Sequence, residues 1–267
     1  MQPLVSVVVP TFRRPIFLAE ALRSVLDQPE VGEVIVVDDS PEGSAAATVE
    51  ALADARLRYF KMAEPSGGRP ALPRNEGARL ATLRYLHFLD DDDRIVAGAY
   101  GALSAALERD PGVGVAFGVV APFGPSEAMA HEGPYFESAA RRARRAMKFG
   151  NRRTLVTTML HQATVLVNSA CLIRRPLVAE LGGYRPELSP VEDVDFYIRA
   201  IRRYGGAFVD RPVLHYRVGH SSLMHSAGGN ERTREAYRHI ASHYRATYGA
   251  VEYRALQLFA RTVLANL

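Results

Sequence analysis

Four aspartates in a row, Asp90, Asp91, Asp92 and Asp93, follow an apolar run at residues 85–89. Carboxylates that close repel one another unless something positive binds among them. Hard divalent cations such as Mg2+ or Mn2+ take oxygen ligands and share them with substrate phosphates. An Asp-x-Asp spacing at a strand end can therefore hold a metal–diphosphate complex. The same residues also read as a solvated acidic turn. A second acidic pair, Asp38-Asp39, ends another apolar run and precedes Ser40-Pro41. A carboxylate there can accept the N–H of a base or a ribose hydroxyl, or it can cap a helix. Glu192-Asp193 stands before a helical stretch, either as dipole partners of its first turn or with one of the two as a general base. His215-Tyr216-Arg217 and His220 form a late polar cluster suited to a diphosphate, or an ordinary surface loop. His239 and His243 have the spacing of two metal ligands on a helix, but no third ligand or catalytic Glu accompanies them.

The elements that must position these groups follow from periodicity. Short β-branched or apolar runs at residues 4–9, 34–37, 57–60, 85–89 and 113–120 predict strands, mostly buried on both faces. Stretches with apolar residues at helical spacing predict helices over 16–26, 48–57, 75–83 and 99–107. Alternation of the two predicts an α/β fold, an open and mostly parallel sheet flanked by helices. In such sheets ligands bind beyond the carboxyl ends of the strands, so both acidic clusters should meet at one crevice. Beyond residue 120 the pattern loosens. Residues 122–134 read as a Gly/Pro loop, 139–153 as a basic helix, 194–204 as a helix stopped by Gly205-Gly206, and 231–264 as one or two amphipathic helices.

The chain of 267 residues, 48% hydrophobic, is long enough to bury a large core. Its net charge of +4 implies no nucleic-acid partner. A single cysteine, Cys171, rules out an intramolecular disulfide and a cysteine-rich zinc site, and fits a reducing, cytoplasmic setting. No secretion signal is expected from the opening residues. Residues 155–173 carry no formal charge, but His161, Gln162 and Asn168 among them favour core and site lining over a membrane span. Phosphate-binding-loop, dinucleotide and Gly-x-Ser-x-Gly motifs are missing.

Taken together, the motifs resemble glycosyltransferase family 2 from about residue 4 to residue 223. VSVVVPTFRRP is similar to that family's first strand and nucleotide loop, and EVIVVDDS to its second strand with the base-binding acid. PRNEGARLA resembles its Ala-Arg-Asn-x-Gly helix start, and LHFLDDDD its Leu-Asp-x-Asp-Asp metal motif. CLIRRPLVAELGGYRPEL followed by VEDVDFYIRA resembles its acceptor segment and Glu-Asp catalytic motif. HYRVGHSS resembles its Tyr-Arg-x-x-His loop. Arg13 and Pro73 depart from the pattern, standing where asparagine and alanine are frequent.

The resemblance implies a GT-A fold and an inverting, metal-dependent hexosyltransferase. Its donor would be a nucleoside-diphosphate sugar, UDP-sugars first, then GDP- or dTDP-sugars. Its acceptor would be a hydroxyl on a saccharide, glycolipid or small aglycone, in bacterial polysaccharide, glycolipid or glycoside biosynthesis. Carried over residue by residue, Pro10, Thr11 and Phe12 surround the nucleotide, Asp39 contacts the base and Arg74 lies by the nucleotide or phosphates. Asp90, Asp91 and Asp92 hold ribose and Mn2+ or Mg2+, with Asp92 the direct metal ligand and Asp90 its companion. Asp193 is the base, Glu192 lies on the acceptor side, and Arg217 and His220 close over the diphosphate.

The expected layout is a catalytic unit over residues 1–230, divided into a nucleotide-binding half (1–120) and an acceptor-binding half (121–230). A helical segment follows at 231–267. A homodimer stays open. Two rivals remain: a sugar-1-phosphate nucleotidyltransferase, which wants a glycine-rich basic loop after the first strand, and a non-catalytic nucleotide-sugar-binding domain. Arg141, Arg142, Arg144, Arg145, Lys148, Arg152 and Arg153 crowd one segment. They read either as a solvated helix face or as a surface for an anionic membrane or lipid-linked acceptor, with the alanines between them lying along it.

Overall fold

The computed structural model describes residues 4–149, 151–161, 163, 165–220 and 229–262. Among these, eight strands form one sheet: β1 (Val5–Thr11), β2 (Val31–Asp38), β3 (Leu57–Lys61), β4 (Tyr85–Phe88), β5 (Arg94–Ile95), β6 (Val115–Phe123), β7 (Cys171–Arg174) and β8 (Gly206–Arg217). The helices are α1 (Pro15–Leu26), α2 (Ala46–Leu52), α3 (Ala71–Leu80), α4 (Ala99–Arg109), α5 (Ser126–Lys148), α6 (Asn151–His161), α7 (Pro176–Glu180), α8 (Glu192–Tyr204), α9 (Gly229–Tyr248) and α10 (Ala250–Thr262).

The sheet order is β3-β2-β1-β4-β7-β6-β8-β5. The β1–β2, β1–β4, β2–β3 and β6–β8 pairings are parallel; β4–β7, β6–β7 and β5–β8 are antiparallel. Parallel crossovers place helices on both faces, which is why β1 is buried along its whole length. Val7 and Val9 face one core with α1 and α4. Val8 faces the other core with α3, α6, α8 and the C-terminal helices, whose Ala236, Ile240, Tyr244 and Leu256 help complete it.

Several boundaries differ from the sequence expectation for identifiable reasons. β1 runs through Pro10, because its pairing with β4 ends at Val8 and the missing N–H interrupts no ladder on that side. α3 begins four residues early, with Pro73 in its first turn, where the absent N–H would have had no intrahelical partner. Residues 126–134, expected as loop, belong to α5, which continues through Pro134. Phe136, Ala139, Ala140, Ala143 and Ala146 form its buried stripe, and burial of that stripe outweighs one lost backbone bond. β5 and β7 were not foreseen; each is too short for alternation to register.

The basic segment is likewise corrected. The helix ends at Lys148 and a second begins at Asn151. Its alanines pack inward and offer no face to an external surface. Arg144 is bound bidentate by Asp210, with contacts of 2.7–2.9 Å, and Arg141 pairs with Glu137 at 3.7 Å. Arg145, Lys148, Arg152 and Arg153 remain on the exposed side. Of the uncharged stretch 155–173, expected as core and site lining, residues 155–161 belong to α6 and Leu155, Val156 and Met159 enter the core, while Gln162 lies outside the described residues; among the described residues no helix is long and apolar enough to cross a membrane.

Candidate active site

The carboxyl ends of β1, β2 and β4 and the start of α8 open onto one cavity of about 1100 Å³. Pro10, Thr11, Phe12, Asp39, Arg74, Asp90, Asp91, Asp92, Glu192 and Asp193 all line it. The crevice expected from the strand ends therefore exists, and ten of the twelve residues to which the family resemblance gave a role reach it.

Arg74 holds its two sides together. It lies in the first turn of α3, and its side chain is 5% exposed. One guanidinium nitrogen donates to Asp90 Oδ1 at 2.7 Å and another to Glu192 Oε1 at 2.8 Å. A buried cation between two carboxylates is held charged: burial opposes the charge, but Asp90 and Glu192 more than offset it and raise the Arg74 pKa. The rest of the PRNEG motif is structural. The Asn75 side-chain amide pairs with the backbone of Tyr184, donating to its carbonyl and accepting from its N–H, both at 2.8 Å. Gly77 lets α3 approach β1 closely, since a Cβ there would stand 2.3 Å from Val8 Cγ1.

The four aspartates have four environments. Asp90 is the most open, with a side chain 32% exposed. Asp91 accepts from Thr11 Oγ1 at 2.6 Å and from Arg14 at 3.4 Å. Burial, with help from the Asp92 charge, lifts its carboxyl to about 7. Asp92 accepts from Arg14 and from His220 Nε2, the latter at 2.7 Å. Burial pushes Asp92 up, but His220 and Arg14 outweigh it and hold its carboxyl below the usual range. Asp93 turns inward and accepts the backbone N–H of Arg217 at 3.0 Å; burial and its acidic neighbours raise it well above the usual range.

Across Arg74, Asp193 opens α8. Its Oδ1 accepts the N–H of Val194 at 2.8 Å. Burial first, then the adjacent Glu192 charge, raise its carboxyl to about 7, against the lowering influence of Arg74. That value suits a group that must take up a proton near neutral pH.

Asp39 is buried, and both its oxygens are engaged. Oδ1 accepts the N–H of Ser66 at 2.6 Å; Oδ2 accepts Ser66 Oγ and the N–H of Gly68, both at 2.7 Å. It thus pins residues 66–68 over Phe12. Gly68 has a left-handed φ of 84°, and a Cβ there would press within 3.1 Å of the Phe12 ring. The neighbouring Asp38 is spent on the turn, bonding Ser40, Ala45 and Tyr59.

Arg217 and His220 do not line the cavity. The Arg217 guanidinium donates to the Asp92 carbonyl at 2.9 Å, pairs with Glu20, and stacks 4.5 Å from both the Phe17 and Phe123 rings. It buttresses the acidic turn from behind. His220 reaches the site only through Asp92 and packs edge-on to Phe17. Arg13 faces outward to Glu42 at 2.7 Å.

His161 and Asn168, expected as site lining, reach the cavity. Other wall residues were given no role in the sequence: Arg14, although it lies within the VSVVVPTFRRP run, Tyr135 and Phe136 of α5, Met159 of α6 and Tyr237 of α9. They come from segments with no mutual spacing in the sequence. His239 and His243 lie elsewhere on α9, the His243 ring bonding the His239 carbonyl at 3.1 Å.

Whether these residues fit a metal is answered by the donor set. Among the described residues no three His, Cys, Asp or Glu side chains converge as a closed protein site. What is present is the Asp92 carboxylate, with His220 against it and Asp90 two residues away, beside a cavity large enough for a nucleotide sugar. That is a fit to a cation completed by substrate phosphates, since Mg2+-type sites commonly use one or two carboxylates and leave the remaining positions to the substrate.

The sheet order, the two helix layers and the acidic cleft at the strand ends define a GT-A-type α/β protein. The structure matches that of S. aureus TarS in complex with UDP-GlcNAc with a TM-score of 0.64, at 19% identity, over 92% of this chain and 67% of that one. It matches the mannosyltransferase PcManGT of Pyrobaculum calidifontis, in complex with GDP-Man and Mn2+, with a TM-score of 0.62, at 17% identity, over 98% and 76%. The family model for glycosyl transferase family 2 matches residues 6–182, and the chain belongs to that family. A Campylobacter jejuni relative, GalNAc(5)-diNAcBac-PP-undecaprenol beta-1,3-glucosyltransferase, is 36% identical over 104 residues, 38% of this chain and 33% of the relative. The chain spans less than two thirds of the length of the first curated relatives it matches, 65% and 33%.

Proposed function

We propose that this chain is an inverting glycosyltransferase that moves a sugar from a nucleoside-diphosphate sugar to an acceptor hydroxyl. The observation that carries the reading is the Arg74 bridge. One buried guanidinium holds a donor-side acid, Asp90, and an acceptor-side acid, Glu192, within hydrogen-bond distance, and the proton acceptor Asp193 is the next residue. A base and a diphosphate site must stand on opposite sides of one sugar carbon for a single displacement, and two acidic walls joined by one guanidinium support that assignment.

In this reading Pro10, Thr11, Phe12 and Asp39 form the nucleotide wall, with the base competing for Asp39 against the loop at residues 66–68. Asp90 and Asp91 meet the ribose and sugar side. Asp92, backed by His220 and Arg217, is the ligand of Mn2+ or Mg2+, which would neutralise the departing diphosphate. Asp193 removes the acceptor proton as the oxygen bonds to the anomeric carbon. The bond from that carbon to the diphosphate oxygen breaks, and the nucleoside diphosphate leaves with the electron pair. One displacement inverts the configuration, and no protein nucleophile takes part.

UDP-sugars are the first donors to test. The exposed face of Arg145, Lys148, Arg152 and Arg153 is the candidate contact for an anionic membrane or lipid-linked acceptor. The catalytic unit spans residues 1–230 in this reading.

The test is thermal stability with UDP, GDP and dTDP, each with and without Mn2+, because a ligand of the native state raises its melting temperature. At least one nucleotide should stabilise the protein in an Mn2+-dependent way, and Asp92→Ala should remove that dependence. Pyrophosphate release from a nucleoside triphosphate would instead establish the nucleotidyltransferase alternative.

A further inference from the structure

The acidic cluster already has a cation on it. Arg14 stands between two of the four aspartates, bonded to Asp92 Oδ2 and, at 3.4 Å, to Asp91 Oδ1. It also lines the cavity. Its situation differs from that of the other arginines nearby. Arg74 is 5% exposed and locked between two carboxylates, and Arg217 is 15% exposed and held between two aromatic rings. The Arg14 side chain is 31% exposed, and its contact with Asp91 is long, at 3.4 Å. Arg13, next in the chain, is turned away to Glu42.

We propose that Arg14 is a resident counter-cation of the donor site. The incoming divalent ion displaces it from Asp92, and it then engages the phosphate oxygens of the donor. The inference rests on the glycosyltransferase reading and adds to it a phosphate-binding residue that exchanges places with the metal.

The physical argument has two parts. A doubly charged ion on the Asp92 carboxylate repels a guanidinium bonded to the same group, so the two arrangements exclude one another. A displaced guanidinium at the edge of this cavity then has a planar fork of donors beside the space a diphosphate would fill, and that fork matches phosphate oxygens. The exchange keeps the site close to neutral in both states. Without a metal, Arg14 offsets the aspartates; with metal and donor bound, the phosphates bring the anionic charge that Arg14 then meets.

Two affinities must therefore move in opposite directions when the charge is removed. Mn2+ binding alone is measured by calorimetry on wild type, Arg14→Gln and Arg14→Lys, without nucleotide. UDP, GDP and dTDP binding is then measured at saturating Mn2+. Arg14→Gln should bind Mn2+ alone about tenfold more tightly, because its competitor is gone, and the preferred nucleoside diphosphate about tenfold more weakly, because a phosphate partner is gone. Arg14→Lys, which keeps the charge but not the fork, should bind the nucleotide more tightly than Arg14→Gln and more weakly than wild type, a charge-dependent order that a purely structural role for the guanidinium would not predict. Circular dichroism of all three proteins checks that the fold is kept. Unchanged or weaker Mn2+ binding in Arg14→Gln overturns the displacement, and unchanged nucleotide binding overturns the phosphate contact. If wild type itself binds none of the three nucleotides, the glycosyltransferase reading fails and this inference falls with it. If wild type binds one and Arg14→Gln matches it, only the role of Arg14 fails.

Discussion

Replacing Glu192 by Gln should shift the pH dependence of transfer toward acid while leaving the site assembled. The Asp193 carboxyl stands at about 7 instead of its ordinary 3.8, raised first by burial and second by the Glu192 charge. Glutamine keeps the carbonyl oxygen that accepts from Arg74 at 2.8 Å, and the other carboxylate oxygen has no hydrogen-bond partner to lose. The substitution therefore removes a charge with little rearrangement, and Arg74 then bears more strongly on Asp193. Both effects lower the pKa. Burial is the larger cause and persists, so the fall should be roughly 1 pH unit. Asp193 must be ionised to accept a proton, so activity rises with pH through its pKa. At pH 6 the ionised fraction would go from about 10% to about 50%, raising kcat/KM for the acceptor about fivefold with donor saturating. The assay is that pH profile for wild type and variant side by side. An acid limb that stays in place, or moves toward higher pH, refutes the reasoning. Loss of turnover at every pH in Glu192→Gln, with Asp193→Asn still active, would make Glu192 the base instead.

Asp193→Asn should reduce turnover by roughly 10²-fold or more with donor affinity nearly unchanged, the scale of a lost general base; a matching loss of nucleotide binding in calorimetry would argue for a donor-side role. Gly77→Ala should lower the melting temperature by several degrees, because overpacking a core contact costs about 1–3 kcal/mol against a helix-propensity gain of about 1 kcal/mol; a higher melting temperature would mean that α3 is free to shift away from Val8. The exposed Arg145, Lys148, Arg152 and Arg153 should bring the protein down with anionic vesicles at low salt and release it at high salt, each contributing roughly 1 kcal/mol near the surface. Equal recovery in the supernatant with anionic and neutral lipid at low salt would favour a soluble acceptor.

β1, β2 and β4 were legible because each is buried almost throughout and reads as an apolar run, as at residues 5–9 and 34–37; β3, a half-exposed edge strand, showed only its Leu57, Tyr59 and Phe60. β5 and β7, which make the antiparallel pairings, were not legible. β7 is four residues long and slips between β4 and β6 from far along the chain, a placement set by tertiary packing and not by local pattern. The first part of α5 was hidden by Pro134, a residue that argues for loop on local grounds and is overruled by the buried stripe that follows it. The acids of the site were found because carboxylates at strand ends are conspicuous. The cations that balance them were harder to place. Arg74 was located from its motif, but its service to both acid clusters at once depends on a contact 118 residues apart in sequence. Arg217 was expected over the diphosphate and instead supports the acidic turn, because two phenylalanines and Glu20, all unremarked in the sequence, claim its guanidinium first.

The same distribution of charge explains why the cleft has two acidic sides that behave differently. At the acidic turn, Asp92 is kept ionised by His220 and Arg14, which suits the metal-ligand role proposed for it. Across the cleft, Asp193 makes no direct ion pair among the described residues, and burial, with the Glu192 charge, sets its pKa near 7 against the lowering influence of Arg74. A salt bridge made directly to Asp193 would pin it as a weak base, and removing Arg74 would leave Asp90 and Glu192 facing each other unpaired. Placing the buried Arg74 guanidinium on Glu192, the residue before the proposed base, and not on Asp193 itself, holds the two walls together while leaving Asp193 poised to exchange a proton.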